Sequence, residues 1–589
     1  MTATNQGVLE GTPYVRGSAS AILLAANLEL SFWGGVNPKT GEVIDRFHPL
    51  SGRLLRDTIV AIPSGRGSCG GSIIMMELIL NGLGPKAFIF ERREEIITLG
   101  IFVADEFFKA TAPVVTVGRD NFQKILGWNG QTVHILNNLV SLNPLHVDPT
   151  KDLTHPEDNL DNLGIELSDF DRATLAGVYG EAAKVSMKVI IRQAHMMGAR
   201  CLMDVSQAHV DGAWYGPASV AFGKKLRDWG GKFQVPTTIN SLNVDQKRWR
   251  ALGIETDFGA ACDELTEAFT DMGGKISFTC APYLLDSAPQ KGDPIAWGES
   301  NAVIYANSVL GARTLKNPNM LECLIALTGR APMAGVYLDE NRLAEVWIKV
   351  TQPPFIDDSY WPILGYSLGA VASNRIPVIT GLENLRPSVD DFKAFSAAFA
   401  TASSAAMFHM VGLTPEAPTL ESTCSNSQAL ESIDSTFADL KACWEEFNSG
   451  SVARKVDLIS FGNPHFSFKE IKKVAELCEG RTKHRDVKIM VTCGRAQYSL
   501  AAQAGYVAQL EAFGTQFLTD TCWCSIEEPV IPKQAEVIMT NSGKYIHYGP
   551  GLTGRQFCFG SLDMCIHAAC SGWTTGEPPL WLRLLQIVV

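Results

Sequence analysis

TIVAIPSGRGSCGGSIIMMELILNGL, residues 58–83, is the stretch that decides the fold class. The apolar run at 58–62 predicts a buried strand, and the residues from Ile73 to Leu83 predict a helix with one apolar face. Between them, the loop 64–72 contains four glycines, three serines, one arginine and one cysteine. Glycine lets a backbone approach a ligand closely, and the N–H groups at a helix start attract anions. The stretch therefore predicts a strand, an anion-binding loop and a helix.

This loop fits three kinds of functional site. A phosphate loop of the GxxxxGK[ST] type matches at Gly65 and Gly70, but Gly71 stands where the lysine belongs. A dinucleotide fingerprint matches at Gly65, Gly67 and Gly70, with Glu91 ending the next apolar run, and would indicate an NAD-dependent oxidoreductase. The third kind is an active-site loop with a reactive serine. A glycine-rich surface turn is the alternative without function.

Composition narrows the class of protein. The chain has 589 residues, of which 46% are hydrophobic and 19% charged, so it is a globular protein of several domains. A net charge of −12 without a basic run argues against binding to nucleic acid or to a membrane surface. No signal peptide is recognisable, and the uncharged stretch 394–415 is expected to be a buried helix. Fourteen cysteines then indicate a reducing, cytoplasmic location.

Alternating strand and helix patterns predict an α/β protein. Residues 1–142 form a first domain, 143–162 a polar linker with three prolines, and 163–589 a large second region. In the second region, Ser168 is expected to cap a helix that continues through 173–195, and a strand follows at 201–205. The elements expected in the first domain are strands at 58–62, 86–90, 113–117 and 132–136 and helices at 73–83 and 101–110.

Some segments contain clusters of polar residues, which a hydrophobic core tolerates only when they have hydrogen-bond partners. These segments are candidates for a functional site. One of them, 204–212 with His209, follows a strand, which is where open α/β sheets bind ligands. A structural histidine explains His209 equally well. Scattered cysteines can converge on iron, although no CxxC pair is present and Cys522 and Cys524 are the closest pair. A small buried hydrophobic residue is the alternative for any one cysteine.

The sequence also resembles the aconitase X family, in its single-chain form, over nearly the whole chain. The resemblance is carried by short blocks spread from the N-terminal region to the C-terminal third. These blocks are 31–37, 40–41, 45–50, 65–68, 175–177 with Gly180, 208–210, 238–240, 280–283, 297–303, 306–314, 412–417 and 520–522.

The resemblance implies an N-terminal swivel domain joined to a large catalytic region, with an iron or iron–sulfur centre between them. Two of the family's three cluster cysteines fall on Cys280 and Cys522, but Asn463 stands at the third position. This departure favours a 2Fe–2S cluster over a 4Fe–4S cluster, or a mononuclear iron. The residue that assists these two is expected to be Asn463 itself or one of the nearby cysteines Cys424, Cys493 and Cys524.

The resemblance further implies a hydro-lyase. Single-chain members dehydrate cis-3-hydroxy-L-proline, and archaeal two-chain members dehydrate phosphorylated mevalonate. Because Arg66 is the only cation of the loop, the small amino acid is favoured over the phosphorylated substrate. An iron-sensing RNA-binding protein, as some relatives are, is disfavoured by the negative charge.

By the same resemblance, Ser68 is the base that removes the Cα proton. A free serine is a very weak base, so its alkoxide needs the positive field of Arg66, of Lys544 or of the loop N–H groups. His209 and Glu299 are expected to position the ring nitrogen or relay a proton. The candidate substrate-binding residues are Ser64, Cys69, Ser72, Ser300, Asn301, Arg313 and Ser542.

Overall fold

A computed structural model describes residues 7–145, 163–449 and 452–584. The predicted α/β fold class is confirmed, because every large sheet is accompanied by helices. The predicted linker 143–162 lies outside the described residues from position 146 onward.

The N-terminal domain is built on a mixed eight-stranded sheet in which β3, β5, β7 and β8 are parallel neighbours. The strand order is β1-β10-β9-β3-β5-β7-β8-β2. A short parallel pair, β4 with β6, brings Leu30–Ser31 against Gly65–Arg66. The strands of the N-terminal domain are Val8–Glu10, Thr12–Val15, Ser18–Ala25, Leu30–Ser31, Thr58–Ile62, Gly65–Arg66, Ala87–Phe90, Val114–Thr116, Thr132–Leu136 and Leu139–Ser141 (β1–β10). The helices of this domain are Gly71–Leu80, Ile96–Phe108 and Gly118–Leu126 (α1–α3).

Three predicted helices differ in detail from the observed ones. Helix α1 is buried on every side along Gly71–Leu78, rather than along one face, because it lies between the N-terminal sheet and the body. Helix α2 starts at Ile96, five residues before the predicted start, because the Glu94 carboxylate accepts hydrogen bonds from the N–H groups of its first turn. The continuous helix predicted at 173–195 is wrong: the chain turns at Gly177 and Gly180, whose φ angles are +84° and +92°.

The first unit of the body, 163–343, contains a parallel three-stranded sheet in the order β13-β12-β14 and an antiparallel pair of β11 with β15. Ser168 caps its first helix, as predicted, and accepts a hydrogen bond from the Asp171 N–H. The helices are Asp169–Leu175, Glu181–Met197, Pro217–Asp228, Thr256–Asp271, Ser300–Tyr305 and Leu321–Thr328 (α4–α9), and the strands are Leu202–Asp204, Gln207–Val210, Thr237–Ile239, Ile295–Trp297 and Arg330–Pro332 (β11–β15).

The second and third units each have a fully parallel sheet covered by helices, in the orders β18-β17-β16-β19 and β22-β21-β20-β23-β24. The second unit contains strands Val346–Val350, Pro377–Thr380, His409–Met410 and Glu431–Ser435 (β16–β19) and helices Tyr360–Ala372, Val389–Ala402 and Phe437–Asn448 (α10–α12). The third contains strands Leu458–Phe461, Lys488–Cys493, Thr515–Thr519, Val537–Thr540 and Gln556–Phe559 (β20–β24) and helices Phe468–Cys478, Arg495–Gln503, Tyr506–Phe513, Gly543–Thr553, Leu562–Ser571 and Leu580–Leu584 (α13–α18).

The stretch 394–415 is not one continuous helix. Its first part belongs to the buried α11, and β18 follows after a turn. In the parts of the chain that the structure describes, every helix is too short or too polar to cross a bilayer. All fourteen cysteines lie in those parts, and each is a free thiol.

One continuous hydrophobic core joins the N-terminal domain to the first unit of the body. Phe90 and Phe102 of the former and Ile190 of the latter belong to the same buried cluster. Ion pairs reinforce this contact, because Arg192 on α5 donates to Asp105 and Glu106 on α2 at 2.8 and 3.1 Å. Burial of apolar surface on this scale holds the two parts in a fixed relative position.

A second joint lies at Glu77 on α1. Its buried carboxylate accepts hydrogen bonds from the Ala218 N–H of helix α6 at 2.7 Å and from the Asn81 side chain at 2.6 Å. The carboxylate thus stabilises a free N–H at the start of a helix in the other domain, where a negative charge is favourable.

We expect Glu77→Ala to destabilise the protein by about 1–3 kcal/mol, because the Ala218 N–H is then buried without an acceptor. A lower urea midpoint of unfolding measures this loss. Glu511→Ala, an exposed glutamate on α15, is the matched control and should leave the midpoint unchanged. Equal midpoints for Glu77→Ala and the wild type would contradict the interdomain role of this carboxylate.

Candidate active site

A cleft of about 2550 Å³ lies between the N-terminal domain and the body. A small ligand fills only a fraction of that volume, so the candidate site is the part of the cleft where polar side chains contact one another. The N-terminal domain contributes Arg66 and Ser68 to its walls, and the body contributes Glu299, Cys522 and Lys544. These five residues, far apart in sequence, are brought together as predicted.

The glycines of loop 64–72 are explained by contacts within the protein. Gly67 has a φ of +84°, which other residues adopt rarely. A Cβ atom on Gly65 would lie 2.6 Å from the Glu94 carboxylate, and one on Gly70 would lie 3.1 Å from the Trp33 ring. These protein neighbours are enough to explain the glycines at 65 and 70, so neither glycine requires a bound pyrophosphate. The geometry therefore does not support the dinucleotide interpretation of this loop.

The loop is held on the body by Asn319. The Asn319 N–H donates to the Cys69 carbonyl at 3.1 Å, and the Ser72 hydroxyl donates to the Asn319 carbonyl at 2.8 Å. This leaves Ser68 on the cleft surface, half-buried, with its Oγ accepting a hydrogen bond from the Gly70 N–H at 3.3 Å. Ser72 is thus used inside the protein and does not face the cleft.

An ion pair between Glu299 and Lys544 lies at the centre of the cleft wall. The Lys544 Nζ donates to Glu299 Oε1 at 2.8 Å, and the Asn301 side chain donates to the same oxygen at 2.6 Å. Burial raises the pKa of Glu299, but Lys544 and Asn301 outweigh burial and hold that pKa below its usual value. Burial lowers the pKa of Lys544, yet Glu299 and the neighbouring thiols keep it well above its usual value. Both groups are therefore charged at neutral pH.

Three thiols form a row behind this ion pair. The Cys522 thiol lies within hydrogen-bonding reach of both Cys280 and Cys524. The Asn463 side-chain amide donates to the Cys524 sulfur at 3.3 Å, and the His465 N–H donates to the Cys280 sulfur at 3.4 Å. The loop 280–284, the strand ends at 461–465 and the turn at 522–525 therefore meet at one place, as the sequence analysis expected.

The donors in this place suit an iron centre chemically. Thiolates are the preferred protein ligands of iron–sulfur clusters. The Asn463 side-chain oxygen is buried and has no hydrogen-bond partner, which leaves it free to act as a ligand. The thiols lie in a row, and within 7–145, 163–449 and 452–584 no three His, Cys, Asp or Glu side chains surround one point as the ligands of a single ion would.

Two of the other cysteines named from the sequence lie elsewhere. Cys424 packs with Ala344 and Val378 in a small apolar cluster, and Cys493 is fully buried in the core of the third unit. Cys524 is thus the cysteine beside Cys522 and Asn463.

Eight predicted site residues do not line the cleft, and three of them are the buried Cys69, Cys280 and Asn463. His209 is fully buried on β12 with Nδ1 2.8 Å from the Thr238 hydroxyl, and burial lowers its pKa to about 4, so its ring is neutral. Arg313 donates to the Tyr337 carbonyl at 2.7 Å and pairs with Asp339. The remaining three are buried serines of the loop and of the α16 start, namely Ser64, Ser72 and Ser542.

Cys69 and Ser300 lie at the edge of the site. Cys69 is buried directly behind the loop with its sulfur 3.8 Å from the Ser300 hydroxyl, and burial raises the pKa of its thiol to about 11. Ser300 and Asn301 line the cleft themselves. A neutral Cys69 thiol therefore lies behind the part of the wall that Ser300 forms.

Sequence reasoning missed a polar network on the opposite side of the ion pair. The Asn240 side chain bridges Glu299 and Asp211, with both distances 3.4 Å. Asp211 also accepts a hydrogen bond from the Asn319 side chain and contacts Tyr215. The segments 204–212 and 238–240 were marked in the sequence, but nothing there indicated Tyr215 or Asn319, because their partners are distant in the chain.

The chain has a multidomain α/β architecture, and a polar cleft lies between its small N-terminal domain and its larger body. These two features together are typical of enzymes whose active site lies between domains. Family models match the chain in four consecutive parts, described as the aconitase X swivel domain (8–140), first domain (164–340), second domain (344–445) and third domain (456–571). The chain belongs to the aconitase X family.

Curated relatives agree with this membership. A cis-3-hydroxy-L-proline dehydratase of Hypocrea jecorina is 53% identical and covers 97% of this chain and 96% of its own. A cis-3-hydroxy-L-proline dehydratase of Pseudomonas aeruginosa is 44% identical, covering 96% and 97%. A phosphomevalonate dehydratase large subunit of Methanothermobacter thermautotrophicus is 33% identical, covering 64% and 92%.

Among solved structures, the holo-form of Thermococcus kodakaraensis aconitase X is similar, with a TM-score of 0.61 and 30% identity. The matched region spans 69% of this chain and 100% of the chain in that structure.

The buried Glu322 lies beside the polar network around Asp211, and it should make the stability of the protein depend on pH. Burial raises its pKa to about 8, and its Oε1 accepts a hydrogen bond from the Asp211 N–H at 3.0 Å. In the unfolded chain the carboxyl ionises near 4.5. Between these two values the folded protein holds a proton that the unfolded chain has lost, so wild-type stability falls as pH rises from about 5 to 8.

Glu322→Gln removes this titration. We expect the variant to gain stability relative to the wild type as pH rises to about 8, after which the difference stays level. The difference in free energy of unfolding should reach roughly 2–4 kcal/mol, and the unfolding temperature should change in the same direction. Thermal unfolding from pH 5 to 9 measures it, with the exposed Glu340→Gln as control. A difference that is constant over this range would show that Glu322 is ionised in the folded protein.

Proposed function

We propose that this chain is a hydro-lyase that removes water from cis-3-hydroxy-L-proline and yields Δ1-pyrroline-2-carboxylate. The observation that carries the proposal is the convergence of Ser68, the Glu299–Lys544 pair, Cys522 and Cys524 on one cleft, with the Cys280 thiol buried within hydrogen-bonding reach of Cys522. The names of the two relatives that match the full chain support the same substrate.

The reaction balances without a redox partner. The Cα–H bond breaks and its electrons form the double bond to C3, while the C3–O bond breaks and the hydroxyl leaves with a proton as water. The resulting enamine takes up a proton at C3 and loses the proton on its nitrogen, which gives the cyclic imine. No oxidant or nicotinamide cofactor takes part in this reaction.

Ser68 is the proposed base that accepts the Cα proton on Oγ. A free serine is a weak base, so its anionic form needs stabilisation. The Gly70 N–H donates to Oγ, and helix α1 starts at Gly71 with its positive dipole end toward the loop. Arg66 is two residues away but pairs with Asp45 at 2.9 Å, so its positive charge is partly offset. The backbone therefore replaces Arg66 as the main stabilising element.

Cys280, Cys522 and Cys524, with the unpaired Asn463 oxygen, are the residues proposed to hold an iron–sulfur cluster or a mononuclear iron. The departure at Asn463 still favours a 2Fe–2S cluster over a 4Fe–4S cluster. When bound, such a centre supplies Lewis-acid polarisation of the 3-hydroxyl group. Lys544 stays protonated, because Glu299 and the neighbouring thiols raise its pKa. It therefore places a positive charge close to both the thiols and Glu299.

A phosphorylated mevalonate is a weaker candidate. A phosphoryl group needs several cationic side chains near the loop. Arg66, the loop's cation, pairs with Asp45, and Lys544 pairs with Glu299. The relative that bears the phosphomevalonate name is also the more distant one. A cytoplasmic location belongs to the same proposal, since fourteen free thiols and an iron centre suit a reducing compartment.

We expect Ser68→Ala to lower kcat at least about a thousandfold while iron content, visible spectrum and unfolding temperature stay as in the wild type. Formation of Δ1-pyrroline-2-carboxylate from cis-3-hydroxy-L-proline is the assay. Ser51→Ala, an exposed serine of the same domain, is the control. Near-normal turnover by Ser68→Ala would remove Ser68 as the base.

We expect Cys280→Ser, Cys522→Ser and Cys524→Ser each to lose most of the iron-linked visible absorption of protein purified without air. Cys443→Ser, a buried cysteine whose thiol bonds to the Ile363 carbonyl, should keep it. Iron and sulfide analysis checks the result independently of activity. Retention of full absorption in both Cys280→Ser and Cys522→Ser would show that the centre is held elsewhere.

A further inference from the structure

Two further charged side chains that line the cleft have no role in the reaction as proposed above. They are Lys316, in the segment that leads into α9, and Asp211, directly after β12. We propose that Lys316 binds the carboxylate of the substrate and Asp211 its ring ammonium. The cleft then selects a small cyclic amino acid by its two opposite charges. This inference rests on the proposed dehydratase function and assigns the binding of its substrate.

Lys316 is a cation without a partner. It is half-buried, lines the cleft and makes no ion pair or side-chain hydrogen bond with any described residue. Its charge acts on the thiol of Cys69, the residue next to Ser68. The other candidate anchors are satisfied inside the protein: Arg313 by Tyr337 and Asp339, and Lys544 by Glu299. A partly desolvated ammonium needs an anion, and a substrate carboxylate beside Ser68 supplies one.

Asp211 is the corresponding anion. Its carboxylate receives hydrogen bonds only from neutral groups: the side chains of Asn319 and Tyr215, the Asn240 amide at 3.4 Å and the Ala213 N–H at 3.4 Å. Buried aspartates elsewhere in the described chain are matched by arginine, as Asp171 is by Arg330 and Asp520 by Arg495.

The charged neighbour of Asp211 across the Asn240 side chain is the acidic Glu299, and burial raises the pKa of Asp211 to about 7. A cationic ligand would relieve this repulsion. The ring nitrogen of a proline derivative is a secondary ammonium at neutral pH and has two N–H donors for a carboxylate.

The two charges are connected to the reactive loop through one short segment of the body. Asn319 binds Asp211 through its side chain and the loop through its backbone, and Lys316 precedes it by three residues in the same segment. In a cyclic amino acid, Cα is bonded to both the carboxylate carbon and the ring nitrogen. Holding both charges therefore directs the Cα–H bond toward Ser68. Lys316 also stabilises the negative charge that develops on the carboxylate oxygens as the proton leaves.

Equilibrium binding tests this assignment without depending on turnover. The probes are L-proline, which has both charges, and tetrahydrofuran-2-carboxylate, in which oxygen replaces the ammonium. Calorimetry compares the wild type with Lys316→Met and Asp211→Asn. Asp211→Glu keeps the charge, and Lys39→Met changes an exposed lysine at the rim of the same cleft as the matched control. The visible spectrum and circular dichroism verify that each variant is folded.

The wild type should prefer L-proline over the oxygen analogue by about 30-fold or more. Lys316→Met should weaken both ligands by a similar factor, whereas Asp211→Asn should weaken only L-proline and so abolish the preference. Asp211→Glu should restore the preference, and Lys39→Met should leave both affinities unchanged. With cis-3-hydroxy-L-proline, both Lys316→Met and Asp211→Asn should raise KM, and Lys316→Met should also lower kcat.

The outcomes separate this inference from the proposed function. Turnover by the wild type with L-proline affinity unaltered in both variants overturns the charge assignment and leaves the dehydratase intact. The predicted binding pattern without turnover of hydroxyproline supports the assignment and removes the proposed reaction. Equal weakening of both ligands by Asp211→Asn, or no binding of L-proline to the wild type, also overturns the assignment.

Discussion

The hydrogen bonds between Asn319 and the glycine loop are the constraint on which the site depends. Asn319 donates to the Cys69 carbonyl, accepts from the Ser72 hydroxyl and holds Asp211 with its side chain. One residue of the body thus orients the loop that carries Ser68 and the wall that it faces. The continuous core behind α1 and α2 makes this joint rigid, because the N-terminal domain cannot shift without exposing apolar surface.

The second organising feature is the distribution of charge around the cleft. Glu299 and Lys544 satisfy each other, and Arg66 is offset by Asp45, so these residues shape the field without needing a ligand. Lys316 and Asp211 are left with no charged partner of opposite sign. Unmatched charges in a partly desolvated cleft are costly, and a zwitterionic substrate balances them. The thiol row with the free Asn463 oxygen adds a place for a metal centre next to this binding site.

The sequence predicted the fold class well and the site only in part, for identifiable physical reasons. The strand, glycine loop and helix at 58–83 were recognisable because their pattern is local, and the residue blocks of the family located Ser68, Glu299 and Cys522. The break at Gly177 was missed because helix periodicity does not register a positive φ. The sequence favoured His209 and Arg313 as site residues, although both have hydrogen-bond partners inside the protein. Those partners, Thr238 and Tyr337, are distant in the chain, so the sequence does not place them beside the two residues. Lys316 was overlooked since a single lysine carries no pattern, and only the cleft shows that it lacks a partner.

The fate of the Cα hydrogen is the most direct test of this account. Protein purified without air is given cis-3-hydroxy-L-proline that carries deuterium at Cα, and mass spectrometry follows the product in ordinary water. The account predicts a product that has lost one water and the deuterium, formed more slowly than from the undeuterated substrate. A product that keeps the deuterium, or an oxidised product formed only with a nicotinamide cofactor, would contradict it.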